Sequence, residues 1–574
     1  MANSPEMRNG REARLTWREA VMGLCLVFCV LALYRPVLDN GFISFDDPLY
    51  VTENPHTTGF TGENIGAAFG RFRAGYWIPV TWLSYMADFS LWGDGPRGFH
   101  FTNVMLHAAN ALLLFLVFFR LTACPWRSFL VAAFFAAHPL NVESVAWISE
   151  RKGLLCAFFS FASLLAYESY ARKPGFVRYV PVFLAAALAM MSKPVAVVLP
   201  VLFLILDFWP LERFSGPGFK NSAGRLALEK APVFALSLVL GVVTVMAHSA
   251  FGALKSDLSL SLRVQNAVIS YALYLKKFVW PFDLAVFYPH PAGGISMITA
   301  ASCALLLIAA TLIFFQLSTK RPQVLAGWLW FLLALLPAMG LAQAGGQAMA
   351  DRFAYIPLVG VFFAISFSLP DASKGLNRLI PVICAAVLFF FASATVRQVS
   401  YWESPTALFG RAAAVTTGNY YAENRLGLAL SEKGEAGEAT EHFQKAAALE
   451  PGYAAARNNL AGAYMANGEF DRAADELKAL LKVNPKGATP EIYNNLGAAM
   501  ASGAEYDEAA VWFSKAAKLS PKDARIRYNL ANTLFLASRI PEAERELKAV
   551  LALDPTHKMA RERLQQITDG KQRK

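Results

Sequence analysis

Asp46 and Asp47 stand side by side between two apolar stretches of a 574-residue chain. Neighbouring carboxylates repel, which raises the pKa of one of them, and such a group can take a proton from a hydroxyl. The same dipeptide before Pro48 also reads as the cap of a turn. Further polar residues recur where the chain is otherwise apolar. His100, Asn103 and His107 are spaced three and four apart, so they share one helix face. His138, Asn141 and Glu143, then Glu150, Arg151 and Lys152, then Lys193, then Asp351 and Arg352 each fall at the end of an apolar run. Ionisable residues at membrane depth are costly and usually face an interior cavity. Arg151, Lys152 and Arg352 suit a lipid-linked phosphate, with His100, Asn103, His107, Glu150 and Lys193 lining the same space. In an inverting glycosyl transfer a carboxylate accepts the proton of the attacking hydroxyl and cations stabilise the departing phosphate. The bland reading of each residue is a snorkelling cation or a helix stop.

The elements that must hold these residues are membrane spans. Hydrophobic residues make up 55% of the chain and charged residues 17%, well below the charged share of soluble domains. Eleven segments are candidate spans: 20–38, 99–120, 127–146, 153–171, 177–191, 194–210, 231–251, 296–317, 323–342, 353–370 and 378–396. Arg8, Arg11, Arg14 and Arg18 precede the first, and no small-x-small site follows it, so a retained anchor is expected rather than a cleaved signal. With the N-terminus in the cytoplasm, the short loops carrying Arg120 and Arg127, Arg172, Lys173 and Arg178, Arg213, Lys220, Arg225 and Lys230, Lys320 and Arg321, and Lys374 and Arg378 are cytoplasmic too. The segment 263–281 is amphipathic and reads as a surface helix; if it spans instead, the C-terminal part changes side. The loop 39–98 is then external, and so are the span ends that carry His100, Asn103, His107, His138, Asn141, Glu143, Glu150, Arg151, Lys152, Lys193, Asp351 and Arg352.

The run Gly41-Phe42-Ile43-Ser44-Phe45-Asp46-Asp47, followed by Tyr50-Val51 and Asn54-Pro55, resembles the transmembrane-and-tetratricopeptide-repeat O-mannosyltransferases and their bacterial relatives, a branch of the GT-C membrane glycosyltransferases. Trp77-Ile78-Pro79-Val80-Thr81, Gly98-Phe99-His100 with Asn103 and Leu106-His107, Ser149-Glu150-Arg151-Lys152 and Asp351-Arg352-Phe353-Ala354-Tyr355 are similar to recurring patches of that family. The resemblance covers nearly the whole chain. It implies a polyprenyl-phosphate-sugar donor and a hydroxyl acceptor, commonly Ser or Thr of a protein, with Asp46 and Asp47 at the family's acidic pair.

The last part of the chain changes character near Tyr401. Pro451, Pro485, Pro521 and Pro555 lie 34, 36 and 34 residues apart, and Gly427, Ala461, Gly497 and Ala531 keep the same step. This is the tetratricopeptide period, small where two helices cross and closed by proline. Four repeats and a capping helix are expected, with Asn424, Asn458, Asn494 and Tyr528 as candidates for binding an acceptor or partner protein. The expected fold is therefore all-α: a polytopic helical domain of about eleven spans over 1–400, then an α-solenoid over 401–574.

The net charge of +11 follows from cations flanking spans, and no basic stripe with interleaved aromatics points to nucleic acid. Six cysteines form no C-x-x-C pair. The sequence has no Walker A loop, G-x-G-x-x-G or H-E-x-x-H, and the acidic pair leaves a divalent metal open. The reading is an integral membrane glycosyltransferase, in a bacterium an inner-membrane one with periplasmic repeats. The alternative is a non-enzymatic membrane-anchored repeat scaffold. A transporter is disfavoured, since no internal repeat joins the spans.

Overall fold

The computed structural model describes residues 15–214, 219–252, 258–291, 294–341, 345–370 and 375–572. Arg8, Arg11, Arg14 and Lys374 lie outside the described residues, as does the side chain of Lys220. The chain forms two compact units, 1–416 and 417–574.

The first unit is a helical bundle. Its helices are α1 (Trp17–Leu33), α2 (Gly62–Gly70), α3 (Pro79–Trp92), α4 (Pro96–Thr122), α5 (Pro125–Ala137), α6 (Val142–Ala146), α7 (Arg151–Arg172), α8 (Phe176–Ser192), α9 (Leu199–Phe208), α10 (Phe219–Ala250), α11 (Leu260–Val279), α12 (Met297–Leu317), α13 (Pro322–Leu335), α14 (Leu358–Ser368), α15 (Ile380–Ser400) and α16 (Pro405–Val415). Proline opens α3, α4, α5, α13 and α16, where its missing N–H costs nothing. Each of the eleven expected spans contains helix, but among the described residues only five helices are long and apolar enough to cross a membrane, or six counting one bent pair. The bundle is not purely α: β1 (Tyr288–Pro289) pairs antiparallel with β2 (Gln347–Met349). The loop 39–98 folds into α2 and α3, with Trp82, Tyr85 and Met86 buried. Residues 260–279 form the helix expected around 263–281, and it is not among the span candidates.

The expected span 127–146 breaks by 57° at His138-Pro139. Proline removes a helical hydrogen bond, and a break inside an apolar bundle persists only if the freed carbonyls find donors. Here they do. Asn141 Nδ2 donates to the Phe135 carbonyl (2.7 Å), His107 Nε2 lies 3.3 Å from that of Ala136, and Thr395 Oγ1 donates to that of Ala137 (2.7 Å). Beyond the break, Asn103 Nδ2 donates to the carbonyls of Val145 (3.2 Å) and Trp147 (3.0 Å), and the Tyr85 hydroxyl to that of Ile148 (3.0 Å).

Many of the basic loop residues gather at one end of the bundle. Arg120 and Arg172 both pair with buried Glu168. Asp207 accepts from Tyr167 (2.6 Å) and pairs with Lys230 (2.5 Å) and Arg213 (3.1 Å). Tyr167 is sixteen residues along α7 from Arg151, or about 24 Å, so this cluster and the residues of the polar loop end lie at opposite ends of one helix.

Helices α13 and α14 touch at Gly327 and Gly360. A Cβ on Gly327 would lie 2.2 Å from the Gly360 carbonyl oxygen, and one on Gly360 2.4 Å from that of Gly327. Small residues let helices of a membrane bundle approach this closely. Gly360→Val is expected to force them apart and destabilise the unit by about 2–3 kcal/mol, read as a lower Tm of the detergent-solubilised chain. An unchanged Tm would mean that the crossing relaxes freely.

The second unit is four antiparallel helix pairs and a cap: α17 (Tyr420–Glu432) and α18 (Ala436–Leu449), α19 (Ala454–Ala466) and α20 (Phe470–Val483), α21 (Pro490–Ser502) and α22 (Tyr506–Leu519), α23 (Ala524–Leu536) and α24 (Ile540–Leu553), then α25 (Lys558–Gln572). Gly427 and Gly497 sit where the ring of Phe443 or Phe513 leaves no room for a Cβ. Asparagines staple consecutive pairs: Asn459 Nδ2 donates to Asn424 Oδ1 (2.9 Å), Asn495 to Asn458 (2.7 Å) and Asn529 to Asn494 (2.9 Å). Within each pair one slot, nineteen residues apart, joins the two helices: Glu423–His442, Arg457–Glu476, Tyr493–Trp512 and Arg527–Glu546.

Candidate active site

The first unit encloses a cavity of about 490 Å³. Polar residues line it: Asp46, Tyr50, Tyr76, Glu150, Lys152, Lys193, His248 and Arg352. Apolar ones complete the wall, among them Val195, Val198, Val245, Ala334 and Pro337.

The acidic pair splits. Successive residues in a tight turn point apart, and only Asp46 reaches the cavity. Asp47 is 1% exposed. Its Oδ2 accepts from the Ile43 N–H (2.8 Å), and its Oδ1 accepts from the Ser149 N–H (3.0 Å) and hydroxyl. It therefore ties the loop to the residue before Glu150. Among the described residues no hydrogen bond holds the Asp46 carboxylate, while Phe45 beside it stacks on Trp147 at 4.9 Å.

Burial pushes the Asp47 carboxyl up to about 6, against the pull of the Ser149 and Ile43 donors. A raised native pKa means that its contribution to stability is complete below the ordinary carboxylate value and is lost as pH rises through about 6. Protection of the Ile43 and Ser149 amides, corrected for intrinsic exchange, should fall about tenfold or more between pH 4.5 and 7.5, and Asp47→Asn should flatten that dependence. A flat wild-type profile would contradict this.

The basic pair splits in the same way, because adjacent helical residues lie on different faces. Arg151 is fully buried behind the cavity. It pairs with Asp88 (2.7 Å) and donates to the Phe99 carbonyl (2.7 Å) and Asn103 Oδ1. Lys152 faces the cavity, its ammonium over the rings of Tyr50 (4.5 Å) and Trp147 (5.5 Å).

Three cations converge on Glu150. Lys152 Nζ lies 3.1 Å and Arg352 Nε 3.4 Å from Oε1, and Lys193 Nζ lies 2.8 Å from Oε2. Gly153, one turn into α7, leaves the space: a Cβ there would sit 3.0 Å from Oε2. Arg352 is also gripped by Glu143, which takes its guanidinium (2.5 Å) and its backbone N–H (2.8 Å). The turn carrying Arg352 is fixed by Asp351, whose two oxygens accept from the Tyr288 hydroxyl at 2.8 and 2.9 Å. Burial pushes the Asp351 carboxyl up to about 6, with Lys277 opposing.

Of the residues expected to line the cavity, Glu150 and Lys193 do so. His100, Asn103 and His107 are buried away from it. Asn103 and His107 cap the broken segment, and His107 also contacts the Tyr355 hydroxyl (2.6 Å). His100 Nε2 faces the Gly41 carbonyl at 3.4 Å. Sequence reasoning missed Tyr50 and Tyr76 as cavity walls, and His248, a lone histidine at the end of an apolar run. Among the described residues no group of three or more His, Cys, Asp or Glu gathers as for a metal. In the second unit Asn424 and Asn494 are buried in the seams, while Asn458 and Tyr528 remain partly exposed.

The apolar helices and their ion-lined cavity define a polytopic integral membrane protein that carries a tetratricopeptide array. The tetratricopeptide repeat family profile matches residues 430–496 and 499–567. The chain is 24% identical to the human protein O-mannosyl-transferase TMTC4 over 496 residues, 74% of this chain and 66% of that protein. It is 22% identical to mouse protein O-mannosyl-transferase TMTC3 over 479 residues, 76% of this chain and 52% of that one. The chain thus spans between half and two thirds of these relatives' own length. An Archaeoglobus fulgidus oligosaccharyltransferase structure aligns with a TM-score of 0.40 at 14% identity, over 74% of this chain and 59% of that one.

Proposed function

We propose that this chain is a membrane glycosyltransferase that moves a sugar from a polyprenyl-phosphate-linked donor to a hydroxyl of a protein acceptor, on the external face of the membrane, the periplasmic one in a bacterium. One observation carries the reading: Asp46, a carboxylate to which no described residue donates, shares a cavity with the cation trio Lys152, Lys193 and Arg352, and the rest of the cavity wall is largely apolar. The apolar wall suits a lipid chain and the trio suits its phosphate. Asp46 takes the acceptor hydroxyl proton as the oxygen bonds to the anomeric carbon. The bond from that carbon to the phosphate oxygen breaks, and the electron pair leaves on polyprenyl phosphate, where the cations meet it. Arg151, buried on Asp88, acts by fixing the start of α7 rather than by touching phosphate. Asp47 and the helix-break caps Asn103 and His107 likewise hold the frame, as does His100 behind the loop. The similarity to protein O-mannosyl-transferases supports the class, and the repeats recruit the acceptor, with Asn458 and Tyr528 the positions open to it and Asn424 and Asn494 behind them.

The test compares O-linked glycoproteins in cells with and without the chain, and sugar transfer from polyprenyl-phosphate donors to a Ser/Thr peptide by the purified full chain. Loss of glycans in the deletion and transfer in vitro are expected. An unchanged glycan profile, with the deletion phenotype restored by a variant lacking Asp46, would favour the scaffold instead.

A further inference from the structure

Glu150 sits at the point where Lys152, Lys193 and Arg352 converge. Its two oxygens are held by three cations from three separate segments, and among the described residues it is the acidic partner of both Lys152 and Lys193. With Asp46 in the same cavity, the three positive charges meet three negative ones, Glu150, Glu143 and Asp46, so the second charge of a phosphate monoester would enter without a cation of its own. That balance matters because the proposed reaction changes the charge of its ligand. A sugar phosphodiester carries one negative charge, whereas the phosphate monoester it leaves behind carries about −1.5 to −2 at neutral pH. Three cations without a counter-ion would hold the product more tightly than the donor.

Resting on the donor-phosphate reading above, we propose that Glu150 is a built-in competitor of the lipid phosphate: a positioning residue that keeps Lys152, Lys193 and Arg352 together in the empty cavity and repels the second charge of the product, so that polyprenyl phosphate leaves. It touches no reacting atom. Its carboxylate shares the cations with the donor's single charge and competes with the product's extra one.

The purified full chain in lipid nanodiscs tests this with four probes: farnesyl monophosphate as the product-like monoester, farnesyl methyl phosphate as the donor-like diester, inorganic phosphate and farnesol. Glu150→Gln, which keeps the shape and removes the charge, should tighten farnesyl monophosphate binding about tenfold or more, mostly through slower dissociation, and the diester by less. A merely structural carboxylate would give weaker or unchanged binding on substitution, and that result overturns the inference. Should Glu150→Gln fail to fold, Glu150→Asp withdraws the carboxylate from its partners and is expected to tighten the monoester about threefold; unchanged affinity there counts equally against it. Inorganic phosphate bound as tightly as farnesyl monophosphate would overturn the lipid source of the anion. Wild-type chain that binds farnesyl monophosphate no better than farnesol would sink the donor-phosphate reading itself, whereas phosphate binding without tightening in Glu150→Gln sinks only the role of Glu150.

Discussion

Asp46→Asn is expected to cut sugar transfer by about a thousandfold or more while leaving the membrane level of the chain unchanged. The two halves of that expectation come from different observations. The Asp46 side chain lines the cavity and no described residue donates to it, so an amide of the same shape disturbs no hydrogen bond. An amide is no base, so the acceptor hydroxyl keeps its proton. Asp47→Asn should behave in the opposite manner. Its carboxylate accepts on both oxygens, from Ile43 and from Ser149. An Asn amide has one accepting oxygen, so its NH₂ would face a backbone N–H, at a cost of about 1–3 kcal/mol. The chain should become less abundant, with the activity of each surviving molecule far less affected. Immunoblots of membranes beside initial rates separate the two. Asp46→Asn with more than about a tenth of wild-type activity would remove it as the base.

Arg352→Gln should have the next largest effect, on activity and stability together. Its guanidinium joins Glu143 to Glu150 and lies 5.3 Å from the Trp147 ring centroid. Removing it leaves Glu143, 3% exposed, as an uncompensated buried charge, which costs about 3–5 kcal/mol. If it also meets the departing phosphate, transfer falls a further factor of about 10²–10³. Adding Glu143→Gln separates these terms: the double variant should regain much of the lost Tm and little of the lost rate. Recovery of both would mean that Arg352 only braces the fold. Arg352→Lys keeps the charge, but an ammonium cannot span two carboxylates as a guanidinium fork does, so intermediate values are expected.

Much of this architecture was readable from the residues. Proline and small residues recurring every 34 or 36 positions identify repeats because each repeat must place a helix crossing at the same point. Apolar runs marked the helices of the expected spans but not α2, α3 or α16, and they could not show that 127–146 breaks, because the donors that make the break tolerable come from distant helices: Asn103 and His107 on α4, and Thr395 on α15. The polar face of α4 was legible as a face, but not whether it looks into a cavity or onto exposed carbonyls. The same holds at Asp46-Asp47 and Arg151-Lys152. Composition picks out each pair, while the phase of the turn or helix decides which member meets the cavity, and that phase is set by tertiary partners such as Ser149 and Asp88.

The repeat unit uses two kinds of joint. The slots Glu423–His442, Arg457–Glu476, Tyr493–Trp512 and Arg527–Glu546 close within a repeat with chemistry that varies, an acid on histidine, an aromatic stack and, twice, an Arg–Glu pair, whereas the asparagine pairs cross from one repeat to the next with the same chemistry every time. A repeat therefore carries an internal lock that varies along the array and a standard coupling to its neighbour. Whole repeats can be added, removed or reordered without opening a slot, at the cost only of exposed ion pairs such as Lys478–Glu508, while moving a single helix from the second or fourth repeat into the third would set an arginine or a glutamate against an aromatic. Such an array changes its length in units of one repeat, and with it the reach of whatever it holds.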